Sequence, residues 1–443
     1  MSDEEYEYDY GSDADYDYGS DQENQEEVAD DLVEIENSFF EADDIRTEEQ
    51  SNAIELFEKV VRLEEARGDA VKWRFKALQH LVVLYFLTRK STLMIDKYRH
   101  MLLLISSVTR NECTDAINVV LDAISAGTDV DALSQMYEIT LEALKTANNE
   151  RLWFSTNLKL ARVYLEGGKI SDVERVLLLL KETCQHPDGS DDLSKGSALL
   201  EVYCVEIQLC SYTLNAARMR SVYPRTMNIS AAVADPRIIG TIREEGGKML
   251  MAEGCWQEAY EEFNEAFRSY LEAGNPRAKA CLKYVAIASM LALNVDINPF
   301  AAREAKVFSD DKEIVAMSDL RNCLEVNDIT KFERILNNKQ NRISAEPFIL
   351  KYLQPLRTRM REQVLVNLTL PFSKVSFAHL AGELGLNVSE VEFLLTGLIM
   401  DGRIAGSLDQ VGQTIQMRHA QPVPQQLREE RYIGLSSWAD HFN

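Results

Sequence analysis

Proline is absent from the first 186 residues of this chain, since all ten prolines lie at or after Pro187. Between Leu32 and His186, glycine occurs only at positions 68, 127, 167 and 168. A β-rich segment of this length would need more turn residues, whereas helices joined by short turns need little beyond a glycine at a helix end. The first part of the chain is therefore predicted to be helical.

One apolar spacing recurs in three places along the chain. The copies are Gly254, Trp256, Ala259, Phe263 and Ala266; Gly168, Ile170, Val173, Leu177 and Leu180; and, for the last three offsets, Ala53, Phe57 and Val60. The spacing is typical of the second helix of a tetratricopeptide-like hairpin, where small residues let the paired helix approach. Plain amphipathic helices are the alternative. Because the intervals between copies are unequal, we predict an irregular, all-α helical-repeat solenoid.

The pattern changes after about residue 361. A helix at 361–370 ends at Pro371, and a short extended segment at 375–377 precedes a helix near 378–384. Ser389 is predicted to cap a further helix at 390–401, with Glu392 completing a capping box. Glycines then separate two strands near 403–408 and 413–417. Helix, turn, helix and β-hairpin together predict a small α+β winged helix.

These patterns divide the chain into four parts. Residues 1–31 are predicted to be a disordered acidic tail, with the first packed helix beginning near Leu32. Residues 32–300 form the solenoid, and 301–418 form a second domain with a helical part (301–370) and the winged helix (371–418). Residues 419–443 are predicted to be a linker and a C-terminal helix.

Charge and composition exclude several classes of protein. Of 72 acids, 19 lie in residues 1–45, which hold no Lys or Arg, so most of the net charge of −25 belongs to the tail. The N-terminus has neither the basic nor the apolar region of a secretory signal, and the apolar runs elsewhere are too short to span a bilayer. We therefore predict a soluble intracellular protein without membrane spans. The seven scattered cysteines predict reduced thiols.

No pattern of catalytic or metal-binding residues is visible. The six histidines include no His-x-His or His-x-x-x-His pair. The sequence Gly246-Gly247-Lys248 is the nearest approach to a phosphate-binding loop, but it lacks a preceding strand, and we interpret it as a turn between helices. We therefore predict no catalytic residues, no metal site and no required cofactor.

A basic block follows the acidic start. Residues 59–110 carry eleven bases against four acids. Lys72 and Lys76, four residues apart, must project from one helical face. Stacked hairpins would bring this pair together with three further bases, and the candidate partner-binding residues are Lys72, Arg74, Lys76, Lys97 and Arg99. A solvated surface without a partner is the alternative interpretation.

The winged helix does not carry the charge that a DNA reader needs. Residues 371–418 hold three bases against five acids, so a nucleic-acid partner is disfavoured and a protein-assembly role is favoured. Its hairpin is predicted to offer an unpaired strand to a neighbouring domain. Ile404 and Ile415 are the candidate partner-binding residues at that edge.

Several strings carry a family resemblance along nearly the whole chain. They include Phe75-Lys76-Ala77-Leu78, Thr109-Arg110-Asn111, Arg151-Leu152-Trp153-Phe154, Ile242-Arg243-Glu244, Ile297-Asn298-Pro299-Phe300 and Leu408-Asp409-Gln410-Val411. Together with a solenoid that leads into a non-basic winged helix, they resemble the PCI-domain proteins, and within them a scaffold subunit of the COP9 signalosome. The alternatives are a PCI scaffold subunit of the 26S proteasome lid and a winged-helix nucleic-acid-binding regulator.

The resemblance implies a non-catalytic subunit of a complex that removes a ubiquitin-like modifier from cullins, located in the nucleus and cytoplasm. The N-terminal solenoid would bind the cullin C-terminal region and its RING-box protein. The winged helix and the C-terminal helix would bind other signalosome subunits. An inositol polyphosphate could bridge the basic block and the cullin, with Lys76 as its contact.

Overall fold

The computed structural model of this chain describes residues 21–68, 71–125, 130–147, 149–186, 188–229, 234–292, 298–343 and 346–417. The chain divides into two compact units, one ending at Asp192 and the other beginning at Leu193. None of the helices in these ranges is long and apolar enough to span a membrane. The predicted C-terminal helix at 419–443 and residues 1–20 of the predicted tail lie outside the described ranges.

The first unit consists of helices joined by short turns. Its helices are α1 (Asp21–Ile45), α2 (Gln50–Arg67), α3 (Lys72–Leu87), α4 (Ser91–Leu103), α5 (Arg110–Ser125), α6 (Val130–Thr146), α7 (Glu150–Glu166) and α8 (Ile170–Cys184). Consecutive helices pack as hairpins, α1 on α2, α3 on α4 and α7 on α8. The predicted helical-repeat architecture is confirmed.

Helix α1 begins at Asp21, earlier than the expected start near Leu32. Its first turns are rich in Gln and Glu, which have high helix propensity, and acids near a helix N-terminus interact favourably with the helix dipole. Apolar packing follows later, where Ile35, Phe39 and Ala42 are buried. Residues 21–31 therefore extend the helix beyond the part that the apolar pattern could predict.

The three copies of the apolar spacing occupy equivalent positions in their hairpins. They lie on α2, α8 and α12, each the second helix of its pair. Gly168 and Gly254, which precede two of the copies, adopt left-handed backbone angles with φ of 70° and 82°. The last three positions of every copy are buried, and Phe57, Leu180 and Phe263 are wholly inaccessible. The shared spacing thus marks the buried face of each second helix.

The second unit continues the helical pairs and ends in a small sheet. Its elements are α9 (Gly196–Tyr212), α10 (Ala216–Asn228), α11 (Pro236–Glu253), α12 (Trp256–Glu272), α13 (Ala278–Leu291), α14 (Lys312–Val326), α15 (Ile329–Asn337), α16 (Pro347–Thr369), β1 (Lys374–Ser376), α17 (Phe377–Leu384), α18 (Val388–Met400), β2 (Gly406–Asp409) and β3 (Thr414–Met417). One apolar core extends from α11 and α12 to β3.

The winged helix forms as predicted, with two differences. Its three antiparallel strands lie in the order β1-β3-β2, with Val375 opposite Ile415 and Leu408 on the other side of Ile415. The predicted helix at 361–370 is the second half of the longer α16. Asn387, and not Ser389, caps α18, and its capping-box partner is Glu390.

The interpretation of Gly246-Gly247-Lys248 as a turn is wrong, because these residues lie within α11. A Cβ at Gly246 would overlap the ring of Tyr223, and one at Gly247 would lie 2.7 Å from the Phe263 ring. Glycine at both positions lets the α10 and α12 aromatic rings contact the α11 backbone. Their role in this unit is close helix packing.

A buried carboxylate one turn earlier on α11 joins three helices. Glu244 is almost inaccessible and accepts hydrogen bonds from Arg277 (2.7 and 2.8 Å) and the Tyr270 hydroxyl (2.8 Å). Lys248 lies 2.7 Å away. Burial alone would raise the pKa of Glu244, but the Arg277 hydrogen bonds and the Lys248 charge outweigh it and lower the pKa to about 2.

The close packing of α11 can be tested with two glycine substitutions. Gly246→Ala should destabilise the protein by about 1–3 kcal/mol, because the new methyl group meets the Tyr223 ring. Gly382→Ala is the matched control, since Gly382 also lies in a helix but has no neighbour within 4 Å of the place that a Cβ would occupy. The control should be neutral or slightly stabilising. Equal urea midpoints for the two variants would contradict the packing argument.

The Glu244 ion cluster predicts a specific pH dependence. Because the folded pKa lies below the ordinary value of 4.5, the cluster's stabilisation is complete above about pH 5 and falls as the pH drops towards 2. The shift corresponds to roughly 3 kcal/mol. Glu244→Gln should therefore lower the unfolding free energy at pH 7, and its difference from the unmodified protein should shrink on acidification. A difference that stays constant between pH 7 and 3 would refute this linkage.

Candidate functional site

The structure brings Lys72 and Lys76 together on one aromatic ring at the start of α3. Their Nζ atoms lie 5.2 and 5.4 Å from the centre of the Trp73 ring. Both positive charges also help to lower the pKa of Glu112, in the first turn of α5, after the larger effect of hydrogen bonds from Thr109. Lys72 and Lys76 therefore project from one face of α3, as their four-residue spacing predicts. This face lies near the N-terminus of α5.

Trp73 is fixed by the aromatic residues of α1. Its ring lies 4.9 Å from that of Phe39 and 5.6 Å from that of Phe40, measured between centroids. Phe40 nevertheless remains 54% exposed, and Val33, two turns earlier on α1, remains 53% exposed. We define the Trp73 surface as Lys72, Lys76 and Trp73 together with the exposed Val33 and Phe40. It combines two amines with accessible apolar area.

One turn beyond Lys76, α3 carries a histidine that contacts an arginine from the end of α1. His80 stacks on Phe57, and its Nδ1 lies 3.0 Å from Arg46 Nη1. Burial, and then the charge of Arg46, lowers the pKa of His80, so the ring is neutral at pH 7. In the contact between Arg46 and His80, Arg46 carries the positive charge. Arg46 also forms an ion pair with Asp43 at 3.1 Å.

Arg74 does not share the surface of the two lysines. Its side chain is mostly covered and its guanidinium lies 4.0 Å from Glu65 on α2. The backbone N–H of Arg74 donates to the buried carboxylate of Glu64, which also accepts from the N–H of Trp73 at 3.2 Å. Since Val71 has no side-chain acceptor, this glutamate caps α3 from the neighbouring helix. The expectation that Arg74 joins the lysines is corrected accordingly.

Lys97 and Arg99 are also separate from the lysine pair. Lys97 Nζ lies 3.3 Å from the carboxylate of Glu58, which also accepts a hydrogen bond from Tyr85. Burial opposes ionisation of Glu58, but the Tyr85 hydrogen bond and the Lys97 charge lower its pKa. Arg99 is exposed beside a groove of about 670 Å³ between α4 and α6, which Glu142 also lines. The five candidate bases therefore do not form one patch.

Ile404 and Ile415 are core residues and do not lie at an accessible edge. They are 3% and 0% exposed, and Ile415 belongs to the central strand β3. Ile415 belongs to the same apolar core as Val391, Leu395 and Leu398 of α18. Their prediction as partner-binding side chains is corrected, because neither side chain is accessible to a partner.

Exposed apolar residues lie instead on the outer side of α18. Phe393 and Met400, seven residues apart on one helical face, are 78% and 81% exposed. Val411, fully exposed in the turn between β2 and β3, follows Gln410, whose side chain donates to Glu392 at 2.5 Å. We call Phe393, Met400 and Val411 the α18 face. The sequence could have indicated this face. Phe393 and Met400 do not share the helical spacing of Val391, Leu395 and Leu398, which are buried in the core.

The α18 face has no basic side chain, and α18 itself contains no Lys or Arg. A helix that reads DNA needs such residues to contact phosphates. Within the described residues, no group of three His, Cys, Asp or Glu side chains is placed to hold a metal ion. Among the described residues, two surfaces combine the features that a protein partner needs: the cationic, aromatic Trp73 surface on the first unit and the apolar α18 face on the second.

Comparisons with known proteins agree with this architecture. The model of the PCI domain family matches residues 326–419, from the end of α14 through the winged helix. COP9 signalosome complex subunit 2 of Drosophila melanogaster is 38% identical over 409 residues, covering 92% of this chain and 90% of the relative. The subunit 2 proteins of Dictyostelium discoideum (38%, 92% and 90%) and Schizosaccharomyces pombe (32%, 88% and 89%) are similar over comparable lengths. This chain therefore belongs to the COP9 signalosome subunit 2 family.

Proposed function

We propose that this chain is a non-catalytic scaffold and substrate-receptor subunit of a COP9 signalosome. In this role it binds cullin-RING ubiquitin ligases in the nucleus and cytoplasm, so that the complex removes the ubiquitin-like modifier from the cullin. The similarity to subunit 2 proteins over about nine-tenths of the chain supports the place in the complex. It also favours a signalosome over the proteasome lid. We assign the peptidase chemistry to another subunit.

The observation that carries the receptor role is the Trp73 surface. Two amines on one indole ring, beside the accessible Phe40 and with the exposed Val33 two turns away on α1, suit an acidic partner that also has apolar side chains. Charge attracts such a partner and raises its association rate, while the apolar area slows its dissociation. We propose that this partner is the cullin C-terminal region with its RING-box protein.

A polyanion such as an inositol polyphosphate is proposed as an optional bridge at the same surface. Amines bind phosphate oxygens through charge-assisted hydrogen bonds, and Lys76 remains the proposed contact, now together with Lys72. The 5.2 and 5.4 Å distances to Trp73 keep both amines within reach of one anion of this size. Arg74, Lys97 and Arg99 are left out of this contact because of their positions.

For assembly with other signalosome subunits, we propose the α18 face and the free edge of β2. β3 pairs with strands on both sides, whereas β2 pairs only with β3 among the described residues. An edge strand beside exposed Phe393, Met400 and Val411 offers both backbone hydrogen bonds and apolar area to a neighbouring domain. This replaces Ile404 and Ile415 as the proposed contacts.

Reversing the two lysines should weaken cullin binding. Each exposed charge contact contributes about 1 kcal/mol, so Lys72→Glu with Lys76→Glu should raise the dissociation constant roughly 30-fold at low salt. The assembled complex should also remove the modifier more slowly at limiting cullin. Binding and single-turnover cleavage with modified cullin measure both effects.

The matched control for this charge reversal is Lys312→Glu, which changes an exposed lysine at the start of α14 in the second unit. It should leave cullin affinity unchanged, and all variants should keep their thermal unfolding midpoint and co-purify with the other subunits. If the double variant binds cullin with unaltered affinity at low salt, the Trp73 surface is a solvated surface without a role in cullin binding.

The assembly surface is tested by placing charge on α18. Phe393→Asp with Met400→Asp should abolish co-purification with the other signalosome subunits while leaving the chain folded, since both side chains are mostly exposed. Circular dichroism and pull-down from reconstituted complex measure the two effects separately.

Two controls accompany this assembly test. Val326→Asp places the same charge on another apolar residue, 77% exposed at the end of α14, and should have no effect on assembly. Ile404→Asp with Ile415→Asp should instead unfold the winged helix, because both side chains are in its core. Normal assembly of the doubly charged α18 variant would exclude this face.

A further inference from the structure

The chain itself contains a segment whose chemistry matches the Trp73 surface. Residues 1–20 hold eight acids and five tyrosines and no Lys or Arg, with Tyr6, Tyr8 and Tyr10 alternating with Glu and Asp. We propose that this N-terminal segment docks on the Trp73 surface of its own chain and competes there with external acidic partners. The proposal deepens the proposed function, because it concerns the regulation of the same surface.

The match involves two kinds of chemistry. The carboxylates of the segment suit Lys72 and Lys76, whose amines lie over the Trp73 ring. The tyrosine rings suit the exposed Phe40 and Val33, since aromatic side chains combine apolar area with a polar end. The charges of both lysines act on Glu112 in the first turn of α5, so an acid already lies on that side and a segment that approaches from the α1 side is favoured.

Helix α1 determines where the segment starts. Phe39 contacts Trp73 and lies 18 residues after Asp21, so the start of α1 is about 27 Å from this contact at 1.5 Å per residue. Twenty residues reach at most about 66 Å when extended, more than twice this distance. Tethering at such a distance gives the segment an effective concentration on the order of millimolar at the surface. Even weak pairing between the acids of the segment and the two lysines would therefore keep the Trp73 surface largely occupied.

This competition has a measurable consequence. A segment that occupies the surface about 80% of the time weakens the apparent affinity for any competitor roughly fivefold, because only the open fraction binds. Salt screens the exposed pairs and should open the surface. Partners with high charge density displace the segment, whereas weakly acidic proteins do not. The segment thus acts as a filter for strongly anionic partners.

The test compares the full chain with a variant lacking residues 1–20, using inositol hexakisphosphate as the probe in calorimetry at low salt. The shortened chain should bind the probe roughly fivefold more tightly, and the difference should vanish in high salt. Combining Lys72→Glu and Lys76→Glu should remove the difference as well. A full-length variant with Glu4→Gln, Glu5→Gln, Glu7→Gln and Asp9→Asn should behave like the shortened chain, which separates charge from length.

Direct contact is measured by carbodiimide cross-linking, which joins carboxylates and amines that touch. We expect links between acids of residues 1–20 and Lys72 or Lys76, in a yield independent of protein concentration. Equal probe affinities together with absent links would overturn the proposal, and links that grow with concentration would assign the contact to a second copy. If the links form within one chain and the shortened chain binds the probe more tightly, while lysine reversal leaves cullin affinity unchanged, the docking stands and the receptor role fails.

Discussion

The continuous apolar core along α16 is the interaction on which the second unit depends. The first half of this helix buries Ile349, Tyr352 and Leu356 against α13, and its second half buries Met360 and Leu365 towards α17 and α18. An ion pair of 2.7 Å between Arg403 and Glu362 joins the turn after α18 to the same helix. Because the two halves of one helix belong to a single core, a shift of the winged helix would disturb the packing of α16 on α13. The α18 face is therefore held by α16 in one orientation relative to α13, within the second unit.

On the first unit, neighbouring acids determine which bases remain accessible. Lys97 is paired with Glu58 and Arg74 lies beside Glu65, whereas Lys72 and Lys76 rest on the Trp73 ring. A ring attracts a cation without neutralising its charge, so the two amines keep their attraction for anions. The Phe39 and Phe40 contacts hold the indole in place. Aromatic packing in the hairpin core thus creates a pre-ordered cationic surface at its edge.

The sequence predicted those features that depend on spacing within one helix. Residue offsets identified the buried faces of α2, α8 and α12, and the four-residue spacing correctly placed Lys72 beside Lys76. The sequence did not predict ion-pair partners on other helices, such as Glu58 for Lys97. Such pairs depend on how the hairpins stack. The two central glycines of α11 were missed for the same reason, since the rings of Tyr223 and Phe263 that require them lie on neighbouring helices. The strand pattern could not show that β3 is central, which made Ile415 a core residue.

The two surfaces suit the two tasks of the proposed function by different physical means. A scaffold must remain in its complex, and the apolar α18 face suits lasting contact because buried apolar area depends little on salt and slows dissociation. A receptor must release each cullin after its modifier is removed. The Trp73 surface suits this exchange, since exposed charge pairs speed association and contribute little free energy each. Because several such pairs add up, a partner that gained or lost a few charges together would change its occupancy of the Trp73 surface, while subunit assembly through the α18 face would be unaffected.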